Sequence, residues 1–192
     1  MKELLNIHSV IEASRVNGPG TRFVVFTQGC KLKCEGCFNT ELHPFDGGTK
    51  VSTSKLLSQY NLKKAEGITV SGGEPFEQPR ALASLLKEAK EKYNLTSVVY
   101  SGYTYAELLK ESNTREALEF IDVLIAGRFN QENLESTLLA RGSTNQSFIF
   151  LSSRYSLKDF YMPGKVEISI SPDGAVTSTG FSNPGFRVKE AV

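Results

Sequence analysis

The sequence has no tryptophan, two histidines, two methionines and three cysteines in 192 residues, and each scarcity removes a class of chemistry. With only His8 and His43, neither beside a recognisable nucleophile, Ser-His-Asp and Cys-His catalysis are poorly supported. The three cysteines all fall between Cys30 and Cys37, and so odd and tight a set speaks for metal or redox chemistry, not for a disulfide framework. No apolar run approaches bilayer length, and Met1-Lys2-Glu3-Leu4-Leu5-Asn6 opens no export signal, so a cytoplasmic protein without a membrane partner is expected. A formal charge of +1 supplies no field for gathering nucleic acid. Gly18-Pro19-Gly20 lacks the Gly-Lys-Ser/Thr ending of a phosphate loop and precedes a strand where such a loop would open a helix.

What remains is an ordinary globular composition, 40% hydrophobic and 22% charged, in a length that suits one domain with one core. Short β-branched and aromatic segments alternate with amphipathic stretches, the pattern of strand-helix units around a parallel sheet. Strands are predicted at residues 23–26, 68–70, 98–100 and 123–125, with a fifth at 148–151. Helices are predicted at 54–60, 79–93, 104–110 and 114–120. Thr104 and Thr114 are placed as caps, Leu82, Leu85, Leu86 and Ala89 form a core stripe, and the charged residues 87–92 form a solvated face. After Arg154 the period changes to two: residues 166–171 and 175–179 flank Pro172-Asp173-Gly174 and predict a β-hairpin.

Cys30-Lys31-Leu32-Lys33-Cys34-Glu35-Gly36-Cys37 follows the first predicted strand and is compact enough to wrap a cubic cluster. A 4Fe-4S cluster ordinarily takes four thiolates, so three leave one iron open, and an open position is where a metal site reacts. The other readings are a zinc knuckle completed by His43 and three buried thiols without metal. Ser71-Gly72-Gly73-Glu74-Pro75 ends the second strand, with glycines that admit close backbone approach and a carboxylate suited to a cation. Ser101 lies in the loop Tyr100-Ser101-Gly102-Tyr103-Thr104, at the strand end where such folds place their ligands. Arg128 follows the fourth strand in Gly127-Arg128-Phe129.

The Cys-x3-Cys-x2-Cys loop, with these three loops in order behind it, resembles the radical SAM superfamily. The likeness narrows through Asn17-Gly18-Pro19-Gly20-Thr21-Arg22, Gly36, Cys37-Phe38-Asn39, Ser101-Gly102-Tyr103 and Arg141-Gly142-Ser143-Thr144-Asn145-Gln146 to the activating enzymes of glycyl radical enzymes. Within them it is greatest to the small activators of anaerobic ribonucleoside-triphosphate reductase, and it covers about residues 14–150.

The resemblance implies a single radical SAM domain over residues 1–192, an α/β fold built as a partial (β/α) barrel, with residues 151–192 as a C-terminal β-hairpin extension. Cys30, Cys34 and Cys37 would ligate a 4Fe-4S cluster whose fourth iron takes the methionine end of S-adenosylmethionine. Gly72, Gly73 and Glu74 would support its amino group, Ser101 would face the ligand, and Arg128 would meet its carboxylate through charge-assisted hydrogen bonds.

The implied function is reductive cleavage of S-adenosylmethionine to set a glycyl radical on a partner, anaerobic ribonucleotide reductase, with electrons from a donor such as flavodoxin or ferredoxin. The alternatives are a radical SAM enzyme acting on a peptide or small molecule and a non-catalytic metal-binding interaction module. Two departures from the activator pattern stand out: Ala126-Gly127-Arg128 where the pattern has Asp-Gly-Lys, and a chain that runs on to Val192. The extension would cover a sheet edge or dock a different partner, and Arg22 would act behind the site or on a partner.

Overall fold

A computed structural model describes residues 3–162, 166–170, 174 and 176–181. Its core is a seven-stranded sheet in the order β3-β1-β2-β4-β5-β6-β7. The strands are β1 (Leu4–Ser14), β2 (Arg22–Thr27), β3 (Thr49–Ser52), β4 (Gly67–Gly72), β5 (Thr96–Ser101), β6 (Val123–Ala126) and β7 (Ser147–Phe150). The four central strands β2, β4, β5 and β6 run parallel, so their carboxyl ends lie on one side of the molecule.

The helices are α1 (Thr53–Ser58), α2 (Pro79–Tyr93), α3 (Tyr105–Leu108) and α4 (Ser112–Leu118). Helix α2 starts with proline at its first position, where no amide donor is missed, and stops at Asn94 in the left-handed conformation. Its stripe of Leu82, Leu85, Leu86 and Ala89 packs with Phe23, Val25, Ile68, Val70, Val99 and Leu124 on one face of the sheet. Among the described residues no helix is long and apolar enough to cross a membrane.

Several sequence expectations are corrected. The fifth predicted strand exists as β7, but it pairs antiparallel with β6 and closes the parallel run. Strands β1 and β3 are not among the sequence expectations; β1 pairs antiparallel with β2, and β3 pairs antiparallel with β1 at the sheet edge. Thr114 lies inside α4, its hydroxyl donating back to the Leu108 and Glu111 carbonyls, while Glu111 takes the cap position. Thr104 caps α3 as expected, in a reciprocal box with Glu107.

The opposite face of the sheet carries a second cluster. Val98, Val123 and Ile125 pack there with Ala140, Phe160 and Met162, with Tyr100, Phe148, Tyr155 and Phe181 around them. At the same face Arg22 is wholly buried. Its guanidinium donates to Thr69 Oγ1 at 3.1 Å, Thr96 Oγ1 at 2.8 Å, the Ile68 carbonyl at 2.6 Å and Tyr155 Oη at 3.2 Å. Burial lowers its pKa, opposed by Tyr155. Arg22 thus opens β2, at the end away from Cys30, and joins three strands to the C-terminal segment.

Beyond that segment, β8 (Val166–Ile170) pairs antiparallel with β9 (Val176–Gly180) as a separate two-stranded sheet. Of the turn placed at Pro172-Asp173-Gly174, only Gly174 falls within the described residues. The pair joins neither edge of the main sheet. Glu167 accepts the Arg15 amide at 2.7 Å, and Asn17 Nδ2 donates to Thr179 Oγ1 at 3.0 Å.

Residues 155–162 of the extension are therefore part of the core. Phe160 is fully buried, so Phe160→Ala is expected to lower unfolding free energy by about 3–5 kcal/mol in a urea titration. A loss below about 1 kcal/mol, the size of an ordinary surface effect, would make the segment an appendage.

Candidate active site

The register Thr27↔Gly72 and Ser101↔Ala126 keeps the strand ends level, so the next residues of each strand gather at one end. They are Gln28-Gly29-Cys30 after β2, Gly73-Glu74 after β4, Gly102-Tyr103 after β5 and Gly127-Arg128 after β6. Every site residue expected from the sequence lies at this end, as the handedness of parallel strand-helix units requires.

The cysteine loop has almost no secondary structure of its own and is held by its neighbours. The Gly29 and Cys30 amides donate to the Leu42 and His43 carbonyls at 2.9 and 3.0 Å. Buried Gln28 donates from Nε2 to the Glu41 and Pro44 carbonyls at 3.2 and 2.8 Å, and Asn6 Nδ2 donates to the Gly47 carbonyl at 3.0 Å. Lys33 adopts φ 45°, curving the loop so that the Cys37 amide reaches the Cys34 carbonyl at 3.2 Å.

Cys30 is buried and Cys34 and Cys37 are half-buried; all three are free thiols. Burial pushes the Cys30 and Cys37 thiols up, and charge on Cys34 adds to both shifts. Cationic iron reverses that logic by favouring thiolate.

The donor set, three free thiols within one short loop, is of the kind that holds an iron–sulfur cluster. Among the described residues, no three His, Cys, Asp or Glu side chains close on one metal position, whereas a cluster distributes its thiolates over separate irons. His43 contributes its carbonyl to Cys30, and its Nε2 is the one buried side-chain nitrogen or oxygen without a hydrogen-bond partner among the described residues.

Gly72 and Gly73 stand against protein. A Cβ on Gly72, at φ 108°, would meet Thr27 N at 2.5 Å, and one on Gly73 would meet the Gly29 carbonyl at 2.5 Å. The Gly73 amide donates to Thr27 at 2.8 Å and the Glu74 amide to Gly29 at 2.9 Å. The Glu74 carboxylate is buried, accepting from Phe76 N at 3.0 Å, Ser101 Oγ at 2.9 Å and Gly102 N at 2.7 Å. It therefore ties the β4 loop to the β5 loop, with Ser101 as its partner.

Arg128 meets Glu107 through two parallel bonds, Nη1 to Oε2 at 3.0 Å and Nη2 to Oε1 at 2.9 Å, and also donates to the Gly102 carbonyl. Its guanidinium lies 5.0 Å from the Tyr103 ring centroid, and the Lys31 ammonium lies 5.8 Å from the same centroid. Tyr103 Oη donates to Glu77 Oε1 at 2.6 Å, and Lys31 pairs with Glu77 at 3.3 Å. Burial and that hydrogen bond push the Tyr103 pKa up to about 12. The Glu107 carboxyl falls to about 2, chiefly because Arg128 and then Thr104 bond its charged form. Burial opposes the charge on Arg128, but Glu107, Tyr103 and Cys34 outweigh it and raise its pKa.

Sequence reasoning missed Asn6, Gln28, Tyr103 and Glu107, whose roles depend on chain-distant partners. It noticed the Ser143-Thr144-Asn145-Gln146 segment without seeing its use. Gln146 Nε2 donates to the Gly127 carbonyl at 3.0 Å and Asn145 Nδ2 to the Arg128 carbonyl at 2.8 Å, so this segment holds the backbone of the β6 loop.

Together these features define an α/β protein with an iron–sulfur thiolate loop at the ends of its parallel strands. A family model described as a 4Fe-4S single cluster domain matches residues 16–149. An anaerobic ribonucleoside-triphosphate reductase-activating protein of Pasteurella multocida is 38% identical over 141 residues, covering 68% of this chain and 88% of the relative. One from Escherichia coli is 32% identical over 151 residues, covering 74% and 96%. A pyruvate formate-lyase-activating enzyme of Clostridium pasteurianum is 37% identical over 116 residues, covering 56% of this chain and 49% of that enzyme. The chain belongs to the 4Fe-4S single cluster domain family, among the anaerobic ribonucleoside-triphosphate reductase-activating proteins. The resemblance drawn from its motifs holds at that level.

Glu74 gives the site a pH signature. Burial raises its carboxyl from 4.5 to about 7, against the pull of its hydrogen bonds to Phe76, Gly102 and Ser101. A raised acid stabilises the fold fully below the unfolded pKa and loses that contribution as pH rises through the folded value. Stability is therefore expected to fall by on the order of 3 kcal/mol between about pH 4.5 and 7. Urea unfolding across this window should show the slope in the wild type and lose most of it in Glu74→Gln; equal slopes would exclude Glu74 as its source.

Proposed function

We propose that this protein is a radical SAM activating enzyme that sets a glycyl radical on anaerobic ribonucleotide reductase. The observation that carries the reading is the convergence of the three thiols, the Gly-Gly-Glu loop, Ser101 and Arg128 at the level ends of four parallel strands. The parallel run β2-β4-β5-β6, in a sheet whose edges are β3 and β7, is read as a partial barrel of the radical SAM type, with the C-terminal segment and hairpin lining its other face.

Cys30, Cys34 and Cys37 donate the thiolates that hold the 4Fe-4S cluster. Bound there, the cluster would supply the one electron that cleaves S-adenosylmethionine to methionine and a 5'-deoxyadenosyl radical, the oxidant for hydrogen-atom removal from a glycine of the partner.

The other parts of the site bind and orient. Gly72 and Gly73 bring backbone close to the cysteine loop and to the methionine amino group. Glu74 holds Ser101 and Gly102 at the ligand's flank, and Arg128 receives the carboxylate. Exposed Phe38, tilted against Phe129 with ring centroids 4.8 Å apart, and exposed Phe45 flank the cysteine loop with apolar surface suited to a protein loop. Electrons would come from a soluble donor such as flavodoxin or ferredoxin, in the cytoplasm.

The test is anaerobic reconstitution with iron and sulfide, then dithionite reduction with S-adenosylmethionine. The wild type should form 5'-deoxyadenosine, and Cys34→Ala should lose at least about a hundredfold, consistent with the size of catalytic contributions at such centres. With anaerobic ribonucleotide reductase added, a glycyl radical should appear in its electron paramagnetic resonance spectrum. Product formation without that signal would point to another substrate; zinc uptake with no product would end the enzymatic reading.

A further inference from the structure

We propose that Glu107 is a tethered stand-in for the ligand's carboxylate, occupying the fork of Arg128 and giving it up to the methionine end of S-adenosylmethionine. This rests on the reading of Arg128 given above and adds a residue and an exchange step to it.

The two oxygens of Glu107 each take one Nη of Arg128, at 3.0 and 2.9 Å, the fork-on-fork arrangement that any free carboxylate would adopt. Arg128 is fixed independently of that partner. Its guanidinium rests on the Tyr103 ring and donates to the Gly102 carbonyl, and its own carbonyl accepts from Asn145. Glu107 also has bonds to keep: its Oε2 accepts Thr104 N at 2.7 Å and Thr104 Oγ1 at 2.9 Å. Neither side is stranded by exchange. The side chains are 41% and 38% exposed, so water screens the pair and holds it weakly. It nevertheless lies between the β5 and β6 loops, where Phe129, next to Arg128, meets Phe38, next to Cys37, with ring centroids 4.8 Å apart.

A competitor inside the protein lowers ligand affinity by the strength of its own contact, and removing it should raise affinity by the same factor. Glu107→Gln is a clean probe, because glutamine completes a capping box as glutamate does but is neutral and has a single acceptor oxygen.

S-adenosylmethionine binding to the reconstituted protein would be measured by calorimetry, with thermal unfolding as a check on the fold. Glu107→Gln should bind about two- to fivefold tighter, the range of an exposed ion pair. Arg128→Gln should bind about tenfold weaker, the scale of a lost charged hydrogen bond, and should abolish the gain when combined with Glu107→Gln. Decarboxylated S-adenosylmethionine should show no gain at all.

Unchanged or weaker binding in Glu107→Gln would overturn the exchange and leave Glu107 as a cap or a prop for Arg128. A gain that persists with the decarboxylated ligand would overturn it too. A wild type that binds no S-adenosylmethionine would instead sink the functional reading itself, whereas wild-type binding with no effect of Arg128→Gln would remove only the role of Arg128 and with it the exchange.

Discussion

Two backbone hydrogen bonds, Gly73 to Thr27 and Glu74 to Gly29, strap the end of β4 to the start of the cysteine loop. A loop that must present three thiols in fixed geometry has few internal bonds with which to do it, so its shape is borrowed from what lies behind it. The strap works because no Cβ intervenes at Gly72 or Gly73. Gln28 and Asn6 extend the same restraint to residues 41–47, turning an irregular segment into a pre-organised one, as a binding constellation requires. If the strap loosens, the thiols lose register with Ser101 and Arg128 together.

What was legible in the sequence follows from range. The parallel strands and α2 declare themselves through local periodicity, and the cysteine triplet through spacing. Strand β1 hides because Asn6, His8 and Ser9 interrupt its apolar residues; Asn6 is buried for its hydrogen bonds to a loop some forty residues away. Thr114 has the chemistry of a cap and spends it on the preceding turn. The Gly-Gly-Glu segment was recognisable as a site, but its contacts were not: glycines that suit a ligand equally suit a neighbouring backbone, and only coordinates distinguish them.

The interior of the second sheet face explains why the C-terminal segment is retained beyond the span of the family match, which ends at residue 149. Arg22 is buried with no carboxylate paired to it among the described residues, and a charge in that position is tolerable only if its donors are bonded. Thr69, Thr96 and the Ile68 carbonyl come from the sheet, while Tyr155 comes from the segment itself. The same segment brings Phe160 and Met162 over Val98, Val123 and Ile125. Polar satisfaction and apolar burial are thus supplied together, and a chain that kept Arg22 while losing the segment would expose both.

Glu74 and Glu107 illustrate how one site uses the same side chain in opposite ways. Glu74 is buried, its oxygens consumed by donors from two loops, and its proton affinity is raised by exclusion from water. Moving it would strand the Phe76 and Gly102 amides, each costing about 1–3 kcal/mol, so it can serve only as a fixed clamp. Glu107 is half in water, its charge is favoured by Arg128, and its remaining bonds to Thr104 survive a change of partner. A carboxylate of this second kind is cheap to displace. The site therefore separates a rigid element that sets the distance between loops from a yielding one that can meet an incoming charge, and burial decides which is which.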